Sequence, residues 1–133
     1  MNRLIKFGTA CTLMIHINGA SAAQDIEYFG KPVRNIPVSS AVKVGNLVFV
    51  SGTPGYKDGK IAVGDFAAQM KQAMDNVAEQ LKSAGASWDR VVRTTVMLTQ
   101  REDFAEMNSV YAGYFSESRY PARTTIIVAG LPS

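Results

Sequence analysis

The sequence predicts an α+β fold, a sandwich in which two helices pack on one face of a mixed β-sheet. Residues 65–84 and 99–116 carry apolar side chains at helical spacing, and the stretches around them are rich in β-branched residues. Two helices that each bury one apolar stripe need a sheet face to cover, which favours this arrangement. The other sheet face then needs its own cover, so we expect self-association into a closed, symmetric oligomer.

The first half of the chain predicts short strands joined by tight turns. Residues 24–37 contain two prolines and predict an irregular lead-in. Residues 42–50 predict a hairpin, because two apolar runs flank Gly45-Asn46, a pair typical of two-residue turns. Residues 56–63 predict a second tight turn at Asp58-Gly59.

Both helices have recognisable end signals. Asp65 can cap the first helix, and Gly85 is a typical residue just beyond a helix C-terminus. Thr99 and Glu102 have the spacing of a capping box, which predicts that the second helix begins there and runs to about Ser116. The apolar stripes are Phe66, Met70, Ala73, Met74, Val77 and Leu81 in the first helix, and Phe104, Met107, Tyr111, Tyr114 and Phe115 in the second.

Two β-rich stretches complete the predicted sheet. Residues 88–98 predict one strand, and residues 124–128, which follow Pro121 and Arg123, predict another that is buried. A guanidinium at the mouth of that last strand is always charged and can bind a carboxylate through two parallel hydrogen bonds. Arg123 is therefore the candidate for binding a small organic acid, although an arginine at a strand end is commonly a solvated or ion-paired surface residue.

Length and charge fit one domain, residues 24–133, without a nucleic-acid-binding face. The chain has 133 residues and a formal net charge of +3. Arg3 and Lys6 precede the first acidic residue, so 12 basic and 11 acidic residues remain after position 23. Because binding to nucleic acid usually needs a clustered basic face, we expect no nucleic-acid partner.

The N-terminus predicts export. Residues 1–6 are basic, residues 7–17 are mostly apolar and residues 20–23 are small, which is the pattern of a secretory signal peptide over residues 1–23. The apolar run is too short to span a bilayer, so we expect no membrane contact once the signal is removed. The protein is then periplasmic or secreted; the alternative, that the segment is not a signal, leaves it cytoplasmic.

Cleavage would remove Cys11 and His16, the only cysteine and the only histidine of the chain. A domain without either residue has no Ser-His-Asp triad, no Cys-His pair and no typical zinc site. We therefore expect no metal centre and no thiol chemistry.

A series of motifs runs in a fixed order from residue 36 to residue 132. The motifs are Pro37-x-Ser39, Val42-Lys43-Val44-Gly45-Asn46-Leu47-Val48-Phe49-Val50-Ser51-Gly52, Gln72-Ala73-Met74-Asp75-Asn76-Val77, Asp103-Phe104, Asn108, Pro121-Ala122-Arg123 and Leu131-Pro132. Together they resemble the RidA family, which is also called YjgF/YER057c/UK114.

The resemblance implies a chorismate-mutase-like α+β fold and a homotrimer with clefts between subunits. It also implies hydrolysis of reactive enamines and imines, such as 2-aminoacrylate, to 2-keto acids and ammonia, without a metal or organic cofactor. The family arginine that binds the substrate carboxylate matches Arg123, the strand-end serine matches Ser51 and the helix asparagine matches Asn108. Ser51 is then suited to orienting a water, although its hydroxyl is equally suited to fastening a turn, and Asn108 to fastening its helix.

The sequence departs from the family pattern at three places. Val38 replaces the tyrosine that lines the family's pocket, and Thr125 replaces a frequent cysteine. The family continues after Leu131-Pro132 into a last strand with a glutamate implicated in water activation, whereas this sequence stops at Ser133. The last strand is then missing from this sequence, which is a fragment of a longer protein, a natural truncation or a degenerate member. For a natural truncation we expect reduced stability and weak or lost deaminase activity.

Three functions fit these residues. The leading one is an enamine/imine deaminase in which Arg123 and Ser51 are catalytic, and Arg123, Asn108, Val38 and Thr125 bind a small carboxylate-bearing imine. The second is a non-catalytic trimeric module that binds small carboxylates. The third, RNA cleavage, is disfavoured by the nearly balanced charge and by the lack of a basic-aromatic stripe.

Overall fold

The computed structural model describes residues 24–30, 36–61 and 64–131. The predicted signal peptide lies outside these ranges and stays a prediction, and Val63 of the second predicted hairpin lies outside them as well. The elements are β1 (Ile26–Phe29), β2 (Ala41–Val44), β3 (Leu47–Val50), β4 (Tyr56–Lys57), β5 (Lys60–Ile61), α1 (Phe66–Ser83), a 3-10 helix (Trp88–Arg90), β6 (Arg93–Leu98), α2 (Phe104–Ala112) and β7 (Ala122–Ile127).

The strands form three hydrogen-bonded sheets of mixed direction. β1, β2 and β3 pair in that order as an antiparallel sheet, and β4 and β5 form a small hairpin. β6 and β7 are parallel, and α2 supplies the crossover that a parallel pair requires. The predicted α+β class and both predicted hairpin turns are confirmed.

Both helices contribute to a core on one face of β6 and β7. Its buried members are Met74 of α1, Leu98 of β6, and Met107 and Tyr111 of α2, none of which is more than 6% exposed. Burial alternates along β6 and along β7 as far as Thr125, so every second side chain there points away from this core. The helices therefore cover one face of the parallel pair, as the sequence predicts. The prediction that residues 124–128 form a buried strand is wrong in its burial, because Ile126 and Ile127 are 42% and 43% exposed.

Helix α1 has the predicted ends. The Asp65 side chain accepts a hydrogen bond of 3.0 Å from the backbone N–H of Ala68, which caps the first turn. Gly85 follows the helix with a φ of +73°, a left-handed conformation that glycine adopts at little cost. Gly55 is required for a different reason, because a Cβ there would lie 2.4 Å from the carbonyl oxygen of Gln69 in α1.

The lead-in that was predicted to be irregular contains strand β1, so that prediction is wrong. Residues 26–29 pair with β2, and Glu27 forms an ion pair of 2.9 Å with Lys43. A four-residue alternation is too short to stand out in the sequence, and the pairing partner rather than intrinsic propensity determines this strand.

The strand predicted to begin at Trp88 begins instead at Arg93, after the 3-10 helix. The N–H of Val91 donates to the Trp88 carbonyl oxygen at 3.1 Å, which closes the turn. The indole packs edge-on against Tyr114 and Phe115, with ring centroids 5.7 and 5.3 Å away. Packing of a large ring on the helices therefore overrides the local β propensity.

Helix α2 is shorter at both ends than the sequence predicts. A turn precedes the helix and is closed by a 3.2 Å hydrogen bond from the N–H of Phe104 to the Arg101 carbonyl oxygen. The prediction that the helix begins with a capping box at residues 99–102 is therefore wrong. From Gly113 onward the N–H groups bond to carbonyls three residues earlier, and the α-helix ends at Ala112.

A hydrogen-bond network fastens α1 to the segment after α2. The Tyr114 hydroxyl donates to Asp75 Oδ1 at 2.7 Å, and the Lys71 carbonyl oxygen is 3.2 Å away. Lys71 Nζ lies 2.7 Å from Asp75 Oδ2. The hydrogen bonds from Lys71 and Tyr114 lower the pKa of Asp75, whereas burial and the Asp75 carboxylate raise the pKa of Tyr114.

We predict that Tyr114→Phe lowers the free energy of unfolding by roughly 1 kcal/mol, because it removes a hydrogen bond to a carboxylate. Urea unfolding measures the change. In an Asp75→Asn background the same substitution should cost clearly less, since the charged acceptor is gone. Equal losses in the two backgrounds would contradict a coupling between these side chains.

The contribution of Asp75 to stability depends on pH, and its lowered pKa fixes the direction of that dependence. The folded-state pKa of Asp75 lies below its ordinary value of 3.8, so its stabilising contribution is complete above that value. The contribution is lost as the pH falls through the folded-state pKa. The stability gap between the wild type and Asp75→Asn should therefore narrow in acid, and a gap that widens there would contradict the assignment.

Candidate functional site

Arg123 lies near the beginning of β7 and contacts four side chains of α2. Its Nη2 donates to Asn108 Oδ1 at 2.6 Å, and its Nη1 lies 3.6 Å from Met107 Sδ. The guanidinium carbon is 4.8 Å from the centroid of the Tyr111 ring and 6.0 Å from that of Phe104. One helix thus holds the cation at a defined position.

The spacing of the α2 residues explains these contacts. Positions 104, 107, 108 and 111 recur every three or four residues, so they share one face of the helix. Tyr111 is 4% exposed, and its hydroxyl lies 2.7 Å from Thr94 Oγ1 in β6. Thr94 is the register partner of Arg123, so the ring beneath the guanidinium is fixed from the neighbouring strand.

Arg123 has no carboxylate partner within the described ranges. The ion pairs found there join Lys43 to Glu27 and Lys71 to Asp75. A guanidinium carries five N–H donors, and the contacts with Asn108 and Met107 occupy two of them. The aromatic ring attracts the cation without neutralising it, so charge and donors remain available to an anion.

A pocket of about 400 Å³ opens beside the guanidinium. Its lining consists of Asn108, Tyr111, Ala112, Tyr120, Pro121 and Arg123. This volume falls within the usual range for small-molecule sites. Among the described residues Arg123 is the only charged member of the lining, so this part of the pocket combines one cation with largely apolar walls.

The other predicted site residues lie outside this lining. Ser51 directly follows β3, and Val38, which is 46% exposed, precedes β2. Thr125 lies on β7 two residues after Arg123 and on the same face of the strand. The structure brings Arg123 and Asn108 together, and the roles of Ser51, Val38 and Thr125 stay predictions.

Hydrogen bonds fasten Ser51 and the loop after it. The Ser51 hydroxyl donates to the carbonyl oxygen of Ser39 at 2.7 Å, which fits a role in fastening a turn. Asn76 Nδ2 donates to the carbonyl oxygens of Pro54 at 3.1 Å and Tyr56 at 2.9 Å. The asparagine of the motif at 72–77 therefore anchors this loop to α1 and takes no part in the pocket.

Tyr111 and Tyr120, which line the pocket, were not predicted as site residues. Thr94, which supports Tyr111 from β6, was not predicted either. Tyr111 was assigned only to the apolar stripe of its helix, although its position three residues after Asn108 was an available signal. Tyr120 directly precedes the Pro121-Ala122-Arg123 motif, and this position was an available signal. Nothing local marks Thr94, because only the strand register brings it to Tyr111.

The described ranges contain neither a metal-binding cluster nor a membrane-spanning helix. No group of three or more His, Cys, Asp or Glu side chains in them is arranged to hold a metal ion. None of the helices described there is long and apolar enough to cross a membrane.

The fold and site define an α+β protein with a pocket beside an arginine near the start of a parallel strand. The sequence model of the family described as Endoribonuclease L-PSP matches residues 31–133, and the chain therefore belongs to this family, the YjgF/RidA family. The chain is 45% identical over 98 residues to a RutC family protein of Pyrococcus abyssi, covering 72% of this chain and 76% of that one.

Further relatives agree with this family. The chain is 41% identical over 98 residues to the human 2-iminobutanoate/2-iminopropanoate deaminase, covering 72% of this chain and 71% of that one. The crystal structure of yeast Mmf1 superposes with a TM-score of 0.76 at 34% identity, covering 81% of this chain and 89% of that one. The crystal structure of RidA from the Antarctic bacterium Psychrobacter sp. PAMC 21119 gives a TM-score of 0.73 at 37% identity, covering 80% of this chain and 89% of that one.

We predict that Asn108→Asp weakens the binding of benzoate or 2-oxobutanoate by roughly 10-fold or more, a change of about 1.4 kcal/mol. A carboxylate in place of the amide would pair with Arg123 and compete with the ligand. Isothermal titration calorimetry measures the affinity.

Ser109→Asp is the matched control for this change. It adds the same charge one position further along α2, where the exposed Ser109 side chain donates to the Ala105 carbonyl. We expect its affinity to stay within about twofold of the wild type, because an exposed charge at this distance is screened by salt. Equal weakening by both variants would show that net charge, and not the contact with Arg123, controls binding.

Proposed function

We propose that the protein hydrolyses reactive imines and enamines of 2-amino acids to 2-keto acids and ammonia. The observation that carries this proposal is Arg123, whose guanidinium is held by Asn108 and Tyr111 and keeps free donors beside a pocket. Relatives with the names 2-iminobutanoate/2-iminopropanoate deaminase and Reactive Intermediate Deaminase A, at 41% and 43% identity, support the same activity.

The reaction needs accurate placement more than strong acid–base groups. Water adds to the imine carbon, the C=N electron pair moves to nitrogen, and the resulting carbinolamine expels ammonia to leave the C=O of the keto acid. The imine carbon is already electrophilic, especially when its nitrogen is protonated. An arginine that holds the adjacent carboxylate fixes this carbon in place, and such positioning accounts for a large part of many enzymatic accelerations.

In this proposal Ser51 orients the attacking water. Its hydroxyl hydrogen is engaged by the Ser39 carbonyl, which leaves the oxygen lone pairs free to accept a hydrogen bond from water. Ser51 does not line the pocket of its own chain. The role therefore requires a second copy of the chain to bring Ser51 to the pocket.

We propose that this assembly is a homotrimer and that it covers the outer face of the β1–β2–β3 sheet. The register places six apolar side chains on that face: Ile26, Tyr28, Val42, Val44, Leu47 and Phe49. The β1 and β3 members are between 54% and 69% exposed. A contiguous apolar face of this kind is characteristic of an association surface.

RNA cleavage, which the description of the matched family suggests, has less support. A single cation in a small, largely apolar pocket suits one carboxylate better than a chain of phosphates.

We predict that Arg123→Ala lowers the rate of ammonia release from freshly generated 2-iminopropanoate or 2-iminobutanoate by roughly 100-fold or more, because the carboxylate loses its anchor. Arg123→Lys should recover only part of the rate, since an ammonium cannot form the two parallel hydrogen bonds. Arg101→Ala, which removes an exposed arginine outside the pocket, is the matched control.

Wild-type rates in Arg123→Ala would refute the proposed activity. Calorimetric binding of 2-oxobutanoate without any ammonia release would instead indicate a carboxylate-binding module.

We predict that Phe49→Glu dissociates the trimer, because it places a charge on the apolar face beside Val42. Light scattering after size exclusion should give the mass of a monomer. Ala68→Glu adds the same charge to an exposed position of α1 and should leave the mass unchanged. A trimer that persists with Phe49→Glu would exclude this face as the interface.

A further inference from the structure

We infer that the pocket beside Arg123 prefers 2-imino acids with bulky apolar side chains, aromatic ones above all, over their three-carbon counterparts. The inference rests on the proposed function for the reaction, and on the pocket alone for the ligand class. Once the guanidinium holds the carboxylate, the substrate side chain must lie against the remaining walls. These walls, together with the groups that a second copy of the chain brings to the pocket, then determine which substrates bind best.

The first argument is size. The pocket measures about 400 Å³ and is open to solvent, so a three-carbon acid held at Arg123 occupies only part of it. A ligand of the size of 2-iminopropanoate leaves most of this space without contacts. Because dispersion contacts are lost wherever a wall has no partner, a larger apolar side chain gains affinity here.

The second argument is the chemistry of the walls. Apart from Asn108 and Arg123, the lining consists of two tyrosines, one alanine and one proline. Tyr111 is fixed by its hydrogen bond to Thr94 and is 4% exposed, so the ring that a ligand can contact is that of Tyr120. Aromatic rings prefer edge-to-face or offset contacts with other rings, which favours a phenyl or indole side chain.

Tyr120 is the wall residue best placed to select the side chain. It is 51% exposed, so much of its ring is free to contact a ligand. Phe115 holds its other side in an edge contact, with centroids 6.2 Å apart at an angle of 67°. Pro121 restricts the backbone conformation of Tyr120, which limits where the ring can lie.

The lining also disfavours acidic side chains. Arg123 is its only cation, so the imine of an acidic amino acid would bring a second carboxylate without a partner. Removing such a charge from water without compensation is unfavourable. The expected order of preference is therefore aromatic first, then large aliphatic, then small, with acidic substrates last.

Binding of stable keto acids tests the ligand class without relying on turnover. Calorimetry with the full chain should show phenylpyruvate binding at least about tenfold tighter than pyruvate, a difference of about 1.4 kcal/mol. Tyr120→Ala should reduce this ratio to less than about threefold by removing one wall. Tyr120→Phe, which keeps the ring, should restore it, and equal affinities in the wild type would overturn the inference.

Ala112→Leu provides an independent variant in case Tyr120→Ala does not fold. The added atoms fill the pocket, so phenylpyruvate affinity should fall while pyruvate affinity is retained. Circular dichroism confirms that each variant is folded. If Ala112→Leu weakens both ligands equally, the side chain does not lie in this pocket and the inference fails.

Turnover separates the inference from the proposed function. An amino acid oxidase generates the imines of phenylalanine and alanine in the assay, and the kcat/KM ratio should favour phenylalanine through a lower KM. Equal kcat/KM for both, with dependence on Arg123, would overturn the preference and keep the deaminase. Tight phenylpyruvate binding without any ammonia release would refute the deaminase and support the ligand class.

Discussion

The contact between Arg123 and one face of α2 is the interaction on which the site depends. Met107 illustrates the reason: it is fully buried in the core, and its sulfur lies 3.6 Å from the guanidinium. Tyr111 likewise belongs to the core and lies beneath the cation. The same side chains therefore stabilise the fold and position the cation, and Thr94 fixes one of them from the neighbouring strand.

A half-buried cation without a carboxylate partner in the described chain is unfavourable for stability alone. Burial removes water from the guanidinium, and the Asn108 hydrogen bond and the Tyr111 ring compensate only in part. If stability were the only requirement, an apolar residue at position 123 would serve better. Under the proposed function an anionic ligand supplies the missing charge.

The sequence predicted the features whose causes are local and missed those whose causes are tertiary. The cap at Asp65 and the turn at Gly45-Asn46 depend on a few neighbouring residues, and both were predicted correctly. The turn at Trp88 depends on rings far along the chain, and no window around it contains that information. Arg123 and Asn108 were each identified through family resemblance, whereas the hydrogen bond between them and the ring of Tyr111 beneath the guanidinium became evident only from the structure.

The β6–β7 sheet and the β1–β2–β3 sheet differ in how completely one chain covers their faces. The helices cover one face of β6 and β7, whereas the outer face of β1, β2 and β3 keeps large apolar side chains exposed. The pocket is similarly incomplete in one chain, because Ser51 lies outside its lining. Association of copies would bury the apolar face and would be the means by which a second chain supplies the water-orienting hydroxyl. We therefore propose that assembly and catalysis both depend on the unpartnered face of the antiparallel sheet.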